Sequence, residues 1–196
     1  MKRRPIALAV PLVLALTAAC GGGGGKGARG QAGAAETTPT TGGAVVGVYP
    51  LTGMPATDRA KLGRPAVTVK IDNNSAARPQ AGIDQADVVY EEFTEGITRF
   101  IVVFQSLDAP TVGPVRSVRP ADPTVIKPLG GPLVFSGGSP GVLDVVKAAG
   151  IRQITENDTD TLKRRSGRKA PHNLYTTTEA IYRKAGAGSP PPSFSP

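Results

Sequence analysis

The 196-residue chain has one cysteine, one histidine and no tryptophan, and aromatic residues make up 5% of it. One cysteine excludes an internal disulfide framework. One cysteine with one histidine excludes Cys-rich or His-rich metal centres within a single chain, and no metal or cofactor is expected. Long apolar runs are also scarce. The stretch over residues 6–16, interrupted by Pro11, has signal-peptide length and is too short to cross a bilayer. Acidic residues are outnumbered 15 to 23, for a formal net charge of +8. Part of that excess sits in the first residues, and residues 46–186 are only mildly positive. So mild a balance makes no case for a nucleic-acid partner. What the chain has in plenty is Gly (25) and Pro (19).

The first residues read as an address. Lys2, Arg3 and Arg4 precede the apolar run, and Thr17-Ala18-Ala19 lead to Cys20. This order resembles the leader of bacterial lipoproteins, with residues 1–19 as signal peptide and Cys20 as the acylated thiol. The expected location is the extracytoplasmic face of the cell membrane, held by the lipid, because several acyl chains anchor stably where one is marginal. The alternative is an ordinary secretory signal that leaves a free thiol. Residues 20–45 are rich in Gly, Ala and Thr with no apolar period, so nothing offsets their ordering entropy. They read as a flexible tether spanning roughly 25–30 Å.

Residues 46–186 carry the folding signals. Val67, Val69 and Ile71 alternate with Thr68, Lys70 and Asp72, a strand with one apolar face. Residues 87–93 and 97–106 read as two further strands, the latter with a continuous apolar run over 100–104 that predicts burial on both faces. Residues 133–135 form a short fourth strand. Ser139 as N-cap and Pro140 at the first helical position open a helix that Gly150 ends. Thr176-x-x-Glu179 reads as a capping box for a second helix ending at Gly186, and Asp122-Pro123 as the start of a shorter one. Strands mixed with helices predict an α/β or α+β fold, a mixed sheet with helices packed on it. Residues 187–196 have the composition of a Pro-rich connector.

Several residues are candidates for chemistry. Gly137-Gly138-Ser139-Pro140-Gly141 matches G-x-S-x-G between a strand and a helix. The residue after the serine would supply an oxyanion-hole N–H, and Pro140 has none, a deficit of about 3–4 kcal/mol in transition-state stabilisation. Ser139 therefore reads as a helix cap. The Gly137–Gly138 turn offers backbone N–H groups to an anion. Arg116 and Arg119, between prolines, share a face of a polyproline-like run and suit bidentate binding of carboxylate or phosphate. The competing reading pairs them with internal acids such as Asp72, Asp87 or Glu91. Glu91 and Glu92 are adjacent on a strand, so they point to opposite faces and cannot form one acid/base pair. Lys163 to Lys169 carries five positive charges in seven residues, a solvated loop or a patch for anionic headgroups or wall polymers. His172 follows, a turn residue or a general base.

Pro50-Leu51-Thr52-Gly53, Lys70-Ile71-Asp72-Asn73, Ala77-Arg78-Pro79-Gln80, Val89-Tyr90-Glu91, Thr98-Arg99-Phe100, Gly113-Pro114-Val115-Arg116-Ser117, Ser136-Gly137-Gly138-Ser139-Pro140 and His172-Asn173-Leu174-Tyr175 occur in that order. As a set they resemble the YerB-like bacterial lipoprotein family. The resemblance implies an exported, membrane-tethered α/β domain followed by a second, mostly β domain, which this chain is expected to lack. It assigns no catalytic residue.

The leading expectation is a membrane-anchored lipoprotein whose domain binds an anionic envelope ligand, a wall-polymer fragment or a lipid headgroup. Its candidate ligand residues are Asp72, Glu91, Arg99, Arg116, Arg119, Gly137, Gly138 and His172. The alternatives are an envelope hydrolase or transferase using His172 with Glu91 or Asp72, and an interaction scaffold marked by an exposed apolar patch.

Overall fold

The computed structural model describes residues 44–188. The leader, Cys20, nearly all of the tether and residues 189–196 lie outside the described residues. A short hairpin of β1 (Gly47–Val48) and β2 (Pro55–Ala56) precedes a one-turn helix, α1 (Arg59–Leu62). Asp58 starts that helix by accepting the N–H groups of Ala60 and Lys61 at 2.9 and 3.2 Å. A five-stranded sheet follows, built of β3 (Val67–Asp72), β4 (Val88–Thr94), β5 (Ile97–Phe104), β6 (Leu133–Val134) and β7 (Gln153–Ile154). Between β5 and β6 lies α2 (Asp122–Ile126), and between β6 and β7 lies α3 (Pro140–Ala148). A small ribbon of β8 (Lys163–Arg164) and β9 (Leu174–Tyr175) and then α4 (Thr178–Ala185) complete the described chain.

The spatial order is β4-β5-β3-β6-β7. β5 runs antiparallel to β4 and β3, while β3, β6 and β7 are parallel. The mixed sheet with helices is the expected fold class. The connections leaving β3 and β6 run to opposite edges of the sheet. Between two such parallel neighbours the carboxyl ends leave a crevice, the usual ligand position in open α/β sheets. Here the segment 114–118 enters that crevice. Arg116 N–H donates to Lys70 O (2.9 Å), Ser136 N–H to Arg116 O (3.0 Å), and Val118 N–H to Gly137 O (2.9 Å).

Both faces of the central strands are covered, while the edge strand β4 leaves one face open. Val67, Val69, Ile71, Val102 and Phe104 pack with Val115, Leu174 and the Ile181 and Ala185 stripe of α4. On the other face Ile101, Leu133 and Phe135 pack with Val118, Ile126 and Val146 of α3. Each such aliphatic side chain contributes roughly 1.5–3 kcal/mol through burial.

Three local expectations change. The β3 alternation predicts one wet face, yet all six residues are buried, because β3 is the central strand with helices or loops on each side. Ser139 is the N-cap of α3 by position, but its side chain makes no capping hydrogen bond. The cap of α4 is Thr177, whose Oγ1 accepts the Ala180 N–H at 3.0 Å. Thr176 instead pairs with Val112 and donates its hydroxyl to Thr161 O at 2.8 Å.

Candidate functional site

Strand geometry decides which candidates meet. In an antiparallel pair, opposite residues share a face. Asp72 lies opposite Arg99, and Arg99 opposite Glu92, so these three share the face that carries α2 and α3. Glu91 lies opposite Phe100 and belongs to the other face. There it accepts from Thr98 Oγ1 at 2.7 Å, with Asn73 Nδ2 at 3.4 Å. Glu91 is thus separated from the remaining candidates.

Asp72 anchors the first cluster. Its side chain is fully buried. Oδ1 accepts the Asn74 N–H at 3.0 Å, while Oδ2 lies 2.7 Å from His172 Nδ1 and 3.0 Å from Arg116 Nε. The Arg116 contact is a charge contact, since its N–H is not aligned on the oxygen. His172 arrives from a loop fixed by its neighbours, with Val115 N–H donating to Leu174 O (2.7 Å) and Arg165 N–H to Asn173 O (2.8 Å).

The second cluster is built from three guanidinium groups. Arg99 is 3% exposed and donates through Nη1 to Ser117 O at 2.9 Å. Arg119 donates to Val118 O at 2.9 Å and to Glu95 Oε2 at 2.7 Å, and Arg99 Nη2 lies 3.7 Å from the same oxygen. The Nε atoms of Arg99 and Arg119 are buried without a hydrogen-bond partner. Burial, and after it the Arg119 and Arg116 charges, lower the pKa of Arg99 from its ordinary value. The hydrogen bond from Arg119 holds the Glu95 carboxyl below the usual carboxylate range. Glu95 reaches this position because the β4–β5 hairpin turns in two residues, Glu95 (φ +52°) and Gly96 (φ +83°), both left-handed as a type I′ turn requires. Against the cluster lies an open cavity of about 430 Å³, lined by Glu95, Ser117, Arg119, Gly138 and Ser139 among others. The N–H groups of Gly137, Gly138 and Ser139 have no backbone partner, and a Cβ at Gly138 would stand 2.9 Å from Val118 Cγ1. Arg99, Arg116 and Arg119 thus converge on two carboxylates, Asp72 and Glu95.

Behind both clusters lies a buried charge group that the sequence reading left unmarked. Lys70, fully buried, ion-pairs with Glu92 and, at 2.7 Å, with the equally buried Asp122. Asp122 Oδ2 also accepts the Arg119 N–H at 2.8 Å. Burial raises the Asp122 pKa to about 6, against the opposing pull of Lys70. This group holds the arginine segment at both ends, through Lys70 O to Arg116 N and Asp122 to Arg119 N. The single signal for it was a lysine in mid-strand, which the alternation placed on a wet face.

The basic run from Lys163 to Lys169 is largely occupied internally. Arg168 donates to Ala77 O, Arg78 O and Tyr175 Oη, at 2.9, 2.8 and 2.6 Å. Arg164 binds Glu156 and Asn173, and Arg165 stacks over Tyr175 at 4.5 Å while bonding Thr111. Exposed large apolar side chains are divided between the β1–β2 hairpin (Val45, Val48, Met54), the edge strand β4 (Val89, Phe93) and the single positions Leu107 and Val145. Among the described residues no group of three or more His, Cys, Asp or Glu could hold a metal. No helix among them is long and apolar enough to cross a membrane.

Comparison with known proteins gives a consistent picture. A family model described as "Protein of unknown function (DUF3048) N-terminal domain" matches residues 51–189. "Putative lipoprotein YerB" of Bacillus subtilis (strain 168) is 37% identical over 139 residues, covering 69% of this chain and 42% of the relative. The crystal structure of YerB protein from Bacillus subtilis is similar with a TM-score of 0.67 and 34% identity, over 74% of this chain and 53% of that one. The chain therefore spans about half the length of the relatives it matches.

Proposed function

The chain belongs to the family of the DUF3048 N-terminal domain, and from that premise we propose that it is an envelope lipoprotein whose domain binds a phosphodiester-bearing polyanion. The lipoprotein name of a 37% identical relative supports the leader reading, in which Cys20 carries the lipid and residues 20–45 hold the domain off the membrane. One observation carries the binding reading. A buried Arg99 with an unpartnered Nε stands behind Arg116 and Arg119 at the crevice where the connections of β3 and β6 diverge. A phosphoryl group offers several acceptor oxygens to forked donors, and guanidinium groups match that geometry. Glu95 is the intramolecular anion at this place, and a ligand phosphate competes with it.

The phosphodiester is common to wall polymers and lipid headgroups, so the test has two arms. Soluble poly(glycerol phosphate) and vesicles of phosphatidylglycerol in phosphatidylcholine are titrated with the wild type and with Arg116→Ala plus Arg119→Ala. Hydrogen bonds to charged groups contribute about 1.5–3 kcal/mol each, so the double variant should lose at least about 100-fold in affinity. Glu95→Gln should tighten binding by removing the competing charge. Equal affinity of wild type and double variant for both probes defeats the reading. Binding in one arm alone identifies the source.

A further inference from the structure

The pair Asp72–His172 does something that anion binding does not require. A neutral imidazole bonded through Nδ1 to a carboxylate donates that hydrogen, which leaves the lone pair on Nε2. The tautomer follows from the 2.7 Å contact with Asp72 Oδ2. His172 Nε2 has no hydrogen-bond partner among the described residues and is not enclosed, the side chain being 18% exposed. The terminal nitrogens of Arg116 are in the same position, unpartnered and open. Both groups hang on one oxygen of one fully buried carboxylate, His172 at 2.7 Å and Arg116 at 3.0 Å. The carboxylate is fixed in turn by the Asn74 N–H. A basic nitrogen and a forked cation are thus held side by side by a rigid anchor. That is the arrangement in which a base acts on a nucleophile while the cation takes the charge of the centre under attack.

We propose that this crevice hydrolyses the phosphodiester it binds, with His172 Nε2 as general base and Arg116 on the phosphoryl oxygens. The step rests on the binding reading above. Water attacks phosphorus and its proton passes to Nε2. The P–O bond to the departing alkoxide breaks, and the imidazolium returns the proton to that oxygen. Water is the sole co-reactant. No serine, threonine or cysteine side chain bonds His172 among the described residues, which favours direct attack by water over a covalent intermediate. Asp72 is a positioning residue. It fixes the tautomer and stabilises the imidazolium that forms.

The experiment uses the full chain with bis(4-nitrophenyl) phosphate as chromogenic diester, and repeats the poly(glycerol phosphate) titration on the same samples. Wild type should release 4-nitrophenolate. His172→Gln should lower kcat by about 10²–10⁴-fold, the usual contribution of a general base, while KM and polymer affinity stay within threefold. Asp72→Asn should lower kcat by more than it changes KM, with melting curves of both variants recorded to check folding. Wild type that binds the polymer yet releases no nitrophenolate, or His172→Gln with wild-type kcat, overturns the proposal and leaves the binding reading standing. Failure of wild type to bind either polyanion overturns both.

Discussion

Replacing Lys70 by methionine tests the electrostatic frame behind the arginine crevice. The methionine fills nearly the same volume and removes only the ammonium. It leaves Asp122, at 0% side-chain exposure, and Glu92, at 17%, facing each other without a cation. Breaking a buried pair in this way costs about 3–5 kcal/mol, because one charge is left uncompensated out of water. For a domain of this size each kcal/mol shifts the melting temperature by about 2–4 °C. Lys70→Met should therefore melt roughly 10–15 °C below wild type at pH 7.5, measured by circular dichroism with urea unfolding as a second probe. At pH 5 the gap should narrow, since Asp122 takes up a proton there and the repulsion falls. The triple variant Lys70→Met, Glu92→Gln, Asp122→Asn should recover much of the loss, as neutral replacements of buried ionic groups commonly do. A Lys70→Met protein within about 1 kcal/mol of wild type at pH 7.5 would refute the reasoning, for it would mean the carboxylates are solvated in the native state.

Two further outcomes follow from the same geometry. Asp122 binds its proton more tightly folded, at about 6, than unfolded, near 3.8. Between those values the native state holds more protons, so this group's contribution to stability falls as pH rises through the window, by at most about 3 kcal/mol. Asp122→Asn should remove that slope in melting curves taken from pH 4 to 7, and an unchanged slope assigns it elsewhere. Gly131→Ala would place a Cβ 1.6 Å from the backbone oxygen of Ala66, an atom that cannot rotate away. It should destabilise by about 3 kcal/mol, the upper end of the usual overpacking penalty, and a urea midpoint equal to wild type would contradict it.

The strands were legible because their cause is local. The apolar run over 100–104 and the residues 67–72 form β5 and β3 within two residues of the expected limits. Pro140 and Gly150 bracket α3 for the same reason, one lacking an N–H and the other adopting φ +72°. The capping box at Thr176 misled, because two successive threonines offer the same cap and only the pairing of Thr176 with Val112 selects Thr177. Of the candidate site, the arginines and His172 stood out by composition and spacing. Glu91 was placed among them because a strand's period says which residues share a face, not which face meets which neighbour.

By itself the sequence determined the fold class, the strands β3 to β6, the helices α2 to α4, and which side chains carry charge, since propensity, period and capping act over a few residues; the two-residue strands β1, β2 and β7 to β9 are too short to show a period. Only the tertiary structure decided that Lys70, Glu92 and Asp122 form one buried charge group, and that Asp72 gathers His172 from a hundred residues away. The physical reason is that burial and pairing depend on what covers a face. For the central strand β3 the cover comes from α2, α4, the 114–118 segment and the loop before β9, none of which β3 encodes.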